Sequence, residues 1–112
     1  MSAENNVVIN LDNFRVTGSK VFTGRDRGKK VRQESRLDEL EAQAPHIEII
    51  IPENVYSINP SFFEEFLLNV VTKLGKEKFF NKFTFTSVGD YEFSKPLNEA
   101  IDRILRDNTA IG

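Results

Sequence analysis

With 112 residues, 39% of them hydrophobic and ten of them Phe, the chain is one domain by length and has enough apolar material for a core. It has no Cys, no apolar run approaching a membrane span and no basic-then-apolar leader. Disulfides and thiolate chemistry are therefore excluded, and a cytoplasmic protein that avoids membranes is expected. The net charge of -2 conceals a segment from Phe14 to Arg36 with eight basic residues and two acids, +6 in all, against -8 for the remainder.

In chain order, Met1 to Asn6 is polar and expected to fray. Val7-Val8-Ile9-Asn10-Leu11 is rich in β-branched residues and reads as a strand. Phe14-Arg15-Val16 and Lys20-Val21-Phe22 flank Thr17-Gly18-Ser19, a pattern that predicts a hairpin or irregular ribbon. Thr23 to Ala44 predicts one long surface helix with a thin apolar side at Val31, Leu37, Leu40 and Ala44, Thr23 and Asp26 forming a capping pair and Pro45 ending it. Gly24 and Gly28 would put two small residues on one side, letting the helix sit close to a strand or leaving room for a partner. His46-Ile47-Glu48-Ile49-Ile50-Ile51 is the clearest strand and suits the centre of a sheet covered on at least one face.

The segment Ser57 to Gly75 organises the rest. Pro60 keeps Asn59 extended, and Ser61 with Glu64 three residues on has the form of a capping box. Phe62, Phe66 and Val70, with Phe63, Leu67, Val71 and Leu74, form one broad apolar face, and Gly75 can close the helix. Lys76 to Asn81 reads as a short amphipathic turn or helix, and Phe83-Thr84-Phe85-Thr86 alternates as a strand. Ser94, with Pro96 in the first turn, starts a last helix whose inner face is Leu97, Ala100, Ile101, Ile104 and Leu105. Asp107 to Gly112 reads as a polar tail. The order predicts an α/β fold, a small mixed β-sheet of about four strands with helices packed on it.

The strand Ile47–Ile51, the run Ile58-Asn59-Pro60-Ser61-Phe62-Phe63-Glu64-Glu65 opening a helix, and Leu74-Gly75-Lys76-Glu77-Lys78-Phe79 together resemble the STAS-like domain of unknown function found in bacteria and their mobile elements. Gly24-Arg25-Asp26-Arg27-Gly28 before a charged helix is similar to that family too, and the resemblance spans Val7 to Leu105, so a single STAS-like domain with its core at about 7–106 is implied. STAS domains proper include the anti-sigma-factor antagonists, in which a serine at a helix start is phosphorylated by a partner kinase. Aligning the turns puts Ser61 on that serine, with Asn59, Pro60 and Phe62 where the antagonists have Asp, Ser and Gly. The resemblance implies a non-enzymatic regulatory domain that binds a histidine-kinase-like ATPase or another signalling protein, with Ser61 as the phosphorylation site.

Each candidate has a plainer reading. Ser61 and Glu64 are explained fully by helix capping. A phosphate at Ser61 would be favoured by the helix dipole and opposed by Glu64 and Glu65, each effect on the order of 1 kcal/mol. The basic segment 14–36 suits nucleic acid, as in a mobile-element accessory protein, or else a solvated face, and few aromatics interleave with its charges. Gly24 to Lys30 departs from a phosphate-binding loop in spacing and lacks the Ser or Thr that would hold magnesium. His46, the one histidine, has no second His or Cys for a metal, and no catalytic constellation or cofactor motif stands out. The expected partner surface is Ser57, Asn59, Pro60, Ser61, Phe62 and Glu65, with Arg25 and Arg27 from the neighbouring helix. A passive assembly subunit without any switch is the remaining alternative.

Overall fold

The computed structural model describes residues 6–109. Strand β1 (Asn6–Asn10) runs into a short 3-10 helix (Leu11–Phe14). Strand β2 (Val21–Phe22) leads to helices α1 (Arg25–Ser35) and α2 (Leu37–Gln43). Strands β3 (His46–Ile51) and β4 (Ser57–Ile58) precede helix α3 (Pro60–Lys82), and strand β5 (Phe83–Ser87) and helix α4 (Ser94–Thr109) complete the fold. Of the polar ends expected at 1–6 and 107–112, residues 1–5 and 110–112 lie outside the described residues, whereas Asn6 opens β1 and 107–109 continue α4.

The α/β expectation holds, but the strands divide differently. β1, β3 and β5 form a parallel sheet with β3 in the centre, and β2 and β4 form a separate parallel pair. A single mixed sheet of about four strands is thus replaced by two parallel sheets of three and two strands among the described residues. Helical connections between successive partners in the larger sheet return the chain to the same end each time, which makes the pairing parallel.

The expected hairpin at 14–22 does not form. Lys20 to Phe22 pairs instead with Tyr56 to Ile58. Two short arms make a marginal hairpin, whereas this pairing sets Phe22 against Phe62 in the core, ring centroids 5.2 Å apart. The long helix predicted from Thr23 to Ala44 breaks at Arg36, which adopts a left-handed conformation (φ 58°, ψ 39°). In a straight helix Val31 and Leu37 would point about 120° apart. The break lets both enter the core completely.

α3 is the central helix, with α1 and α4 packed along it. Its Phe62, Phe63, Phe66, Leu67, Val70 and Val71 are buried, as the spacing predicts, while Leu74 is half-buried, and Phe79 beyond Gly75 is buried as well. Phe63 meets Phe85 edge-on at 6.1 Å, and Phe79 stacks on Phe83 at 4.6 Å, so aromatic rings join α3 to β5. Gly75 interrupts the helix where the sequence placed its end (φ 79°, ψ 169°), and a second helical piece follows directly. The other close approach is at Gly28, where a Cβ would run into the carbonyl oxygen of Phe62. The small residue lets α1 lie against α3, a helix and not a strand.

One face of the three-stranded sheet carries Ile9, Ile47, Ile49, Ile51, Phe83 and Phe85 toward the helices. The opposite face holds Val8, half exposed, with His46 bonded to Thr84 at 2.7 Å and Thr86 donating to Glu48 at 2.7 Å. Parallel sheets are usually covered on both faces. Here, among the described residues, one face is open.

Candidate functional site

β2 and β4 lie side by side and each feeds a helix at once, Phe22 through Thr23-Gly24 into α1 and Ile58 through Asn59 into α3. Parallel pairing therefore sets two helix N-termini next to each other, the end of an α/β unit where ligands and partners are commonly received. The Asn59 N–H donates to Phe22 O at 2.8 Å and ties the two turns together.

The capping differs from the expectation. Asn59 is the N-cap of α3, its Oδ1 accepting from the Ser61 N–H and from the Ser61 hydroxyl, both at 2.9 Å. Pro60 occupies the first helical position, which suits a residue with no N–H. Ser61 therefore lies inside the first turn, half-buried, with its hydroxyl turned to the cap. At the start of α1 the N-cap is Gly24 and not the expected Thr23, and glycine, having no side chain, makes no side-chain cap bond.

Glu64 is not the partner of a capping box. Its carboxylate is 6% exposed and accepts from Arg25 Nη2 at 3.2 Å and from Arg103 Nη1 at 2.9 Å. This places one buried charge between two cations on different helices, joining α1, α3 and α4. The bond to Glu64, set against some desolvation, raises the Arg103 pKa above its ordinary value. Glu65 lies 3.7 Å from both Arg25 Nη1 and Arg32 Nη1.

The expected surface residues are mostly brought together. Ser57 and Asn59 are exposed, Pro60 and Ser61 half-buried, and Arg25 bridges from α1 to Glu64 and Glu65 on α3. Arg27 follows two residues along α1 and is half-buried. Phe62 is a correction. Its side chain is wholly buried against Phe22, Phe63 and Phe66, so it supports the turn from beneath and offers a partner nothing to touch.

Two tyrosines beside the turn had no signal in the sequence. Tyr91 OH accepts from the Ile58 N–H at 2.9 Å and so holds the edge of β4 away from β2. Tyr56, immediately before β4, is 77% exposed with the Lys20 ammonium 5.3 Å over its ring. The basic segment is less free than its +6 suggests, since Arg15, Arg25, Arg32 and Arg36 each pair with a carboxylate. A second concavity lies at the ends of β1 and β3, lined by Asn10, Asp12, Arg15, Pro52, Glu53, Asn54 and Val88, where Arg15 Nη2 donates to Glu53 O at 2.6 Å. No group of three or more His, Cys, Asp or Glu positioned for a metal occurs among the described residues. No helix among them is long and apolar enough to cross a membrane. Comparison with protein-family models, curated proteins and solved structures finds no match to the chain.

Proposed function

We propose that this chain is a STAS-like regulatory domain of the cytoplasm that acts by binding a signalling protein, an ATPase or kinase-like one, through the Ser57–Glu65 turn and the adjoining start of α1. The observation that carries the reading is the parallel β2–β4 pair, which sets both helix starts on one surface with Ser57, Asn59, Ser61, Glu65, Arg25 and Arg27. Phosphorylation of Ser61 is the switch. The residue is half-buried, and among the described residues its hydroxyl is bonded to the Asn59 side chain, a bond that a kinase must break. The two acids expected to repel a phosphate already face arginines, Glu64 with Arg25 and Arg103, Glu65 with Arg25 and Arg32. The local field therefore opposes an added dianion less than the bare sequence suggests.

The test is capture of partners from the native cell with wild-type, Ser61→Ala and Ser61→Asp chains, with intact-mass measurement of the recovered protein. A partner held by Ala and lost by Asp, together with a phosphate on the wild type, is the expected result. An unmodified chain whose partner binds all three forms would reduce Ser61 to a structural serine and overturn the switch.

A further inference from the structure

β2 is a two-residue strand with one paired edge. Lys20 O accepts from Tyr56 N at 2.7 Å and Phe22 O accepts from Asn59 N at 2.8 Å, so these alternate residues turn their carbonyls toward β4. The peptide groups of Val21, between them, face the other edge. Among the described residues no third strand stands there in that sheet. Instead the Ser19 hydroxyl accepts from Val21 N at 3.3 Å and donates to Val21 O at 3.1 Å. A single side chain thus takes the place of a neighbouring strand's peptide.

A groove runs beside this edge. Its first part is lined by Val16, Ser19, Val21, Phe22, Thr23 and Arg27. Thr23 and Arg27 carry it on into a wider part with Arg25, Asp26 and Lys30. Val16 and Val21 are exposed at 49% and 44% and give it an apolar strip. Arg25 is occupied by Glu64 and Glu65, and Lys30 lies only within 4.0 Å of Glu34. Arg27 makes no ion pair among the described residues. Among the lining's own side chains Arg25, Arg27 and Lys30 stand against Asp26, and Arg27 is the cation that no described carboxylate engages.

A peptide edge closed only by a local hydroxyl, an apolar strip and an unpaired guanidinium are the parts that strand addition can use. We infer that the outer edge of β2 receives an extended acidic segment of a partner protein as an added strand. The segment's backbone replaces the Ser19 hydroxyl on Val21, and one of its carboxylates meets Arg27. Charge selects this occupant over a basic segment. A single-stranded nucleic acid would find no aromatic to stack on, since the one aromatic of the lining, Phe22, is buried. The inference rests on the protein-binding reading above for the class of partner and shares Arg27 with that surface, but it uses the outer edge of β2 and not the Ser61 turn.

The experiment selects a displayed library of random linear octapeptides on the full chain and titrates the enriched peptides into isotope-labelled protein, following backbone amide shifts. Acidic peptides should be enriched, and the shifts should centre on Ser19, Val21 and Thr23. Arg27→Glu, checked as folded by its own spectrum, should weaken binding about tenfold or more. Ser19→Ala should strengthen it about threefold, because no hydroxyl then has to be displaced. The inference is overturned by an absence of enrichment, by peptides that bind Arg27→Glu as well as wild type, or by shifts that fall elsewhere. It is equally overturned if an oligothymidylate moves the same amides and the peptides do not. A cellular partner that is lost with Ser61→Asp, while no acidic peptide moves the Ser19, Val21 and Thr23 amides, overturns this inference alone. A peptide response of the expected kind beside a partner indifferent to Ser61 overturns the switch alone.

Discussion

Asn59 and Ser61 divide a task that the capping-box pattern assigns to Ser61 alone. Both are good capping types and they flank Pro60, so the readable clue was the proline, which favours the first helical position and makes the residue before it the cap. Asn59→Ala should therefore lower stability by about 1 kcal/mol, and Ser61→Ala by less than half of that, in urea unfolding. Equal losses would contradict the assignment. Gly28 is a second residue whose role depends on a neighbour far along the chain. Gly28→Ala should cost about 1–3 kcal/mol, because the added methyl must push α1 away from the Phe62 carbonyl. The spacing of Gly24 and Gly28 announced a close approach, but nothing in it said that the other side would be α3.

At the scale of elements, long amphipathic patterns were legible and short pairings were not. The buried face of α3 follows from residues four apart, and the central position of β3 from its apolar run. β2 and β4 are two residues each and pair across more than thirty positions, so no local periodicity reports them. Half of the candidate surface, the Ser57–Glu65 turn, was legible for the same reason as α3, while its junction with α1 depends on that unreported pairing. The attachment of α2 to α3 offers a test by pH. Burial disfavours the charged form of Glu41, but hydrogen bonds from Lys73 at 2.9 Å and Lys82 at 2.9 Å, with their charges, outweigh it and hold its pKa below the ordinary 4.5. The unfolded chain then takes up this proton at a higher pH than the folded one. The stabilisation is complete above the unfolded value and is lost as pH falls through the lower folded value. Between about pH 7 and about pH 3 the urea midpoint should fall further for wild type than for Glu41→Gln.

For the whole molecule, the helices gather on one side of a parallel sheet and leave Val8 at 56% exposure on the other. The parallel arrangement was within reach of the β-then-α order. The separation into two sheets was not, because it hinges on where a two-residue strand finds its partner. The three-helix layer is joined by Glu64, and Glu64→Gln should lower global stability by about 1–3 kcal/mol, as the charge-assisted bonds to Arg25 and Arg103 weaken together. Arg103→Gln should cost less, since Arg25 still serves the carboxylate. A thermal unfolding series with both variants and the double mutant measures the coupling.

Glu64 stands thirty-nine residues from Arg25 and thirty-nine from Arg103. The fold therefore has a direction in time as it leaves the ribosome. The first arginine is available as soon as α3 emerges, whereas the second arrives with the sixteen-residue α4, which also brings Leu97, Ala100, Ile101 and Ile104. Until then the nascent chain holds a half-matched carboxylate and a bare apolar flank on its central helix. That is the interval in which a chaperone has something to hold, and in which early termination of synthesis is most damaging.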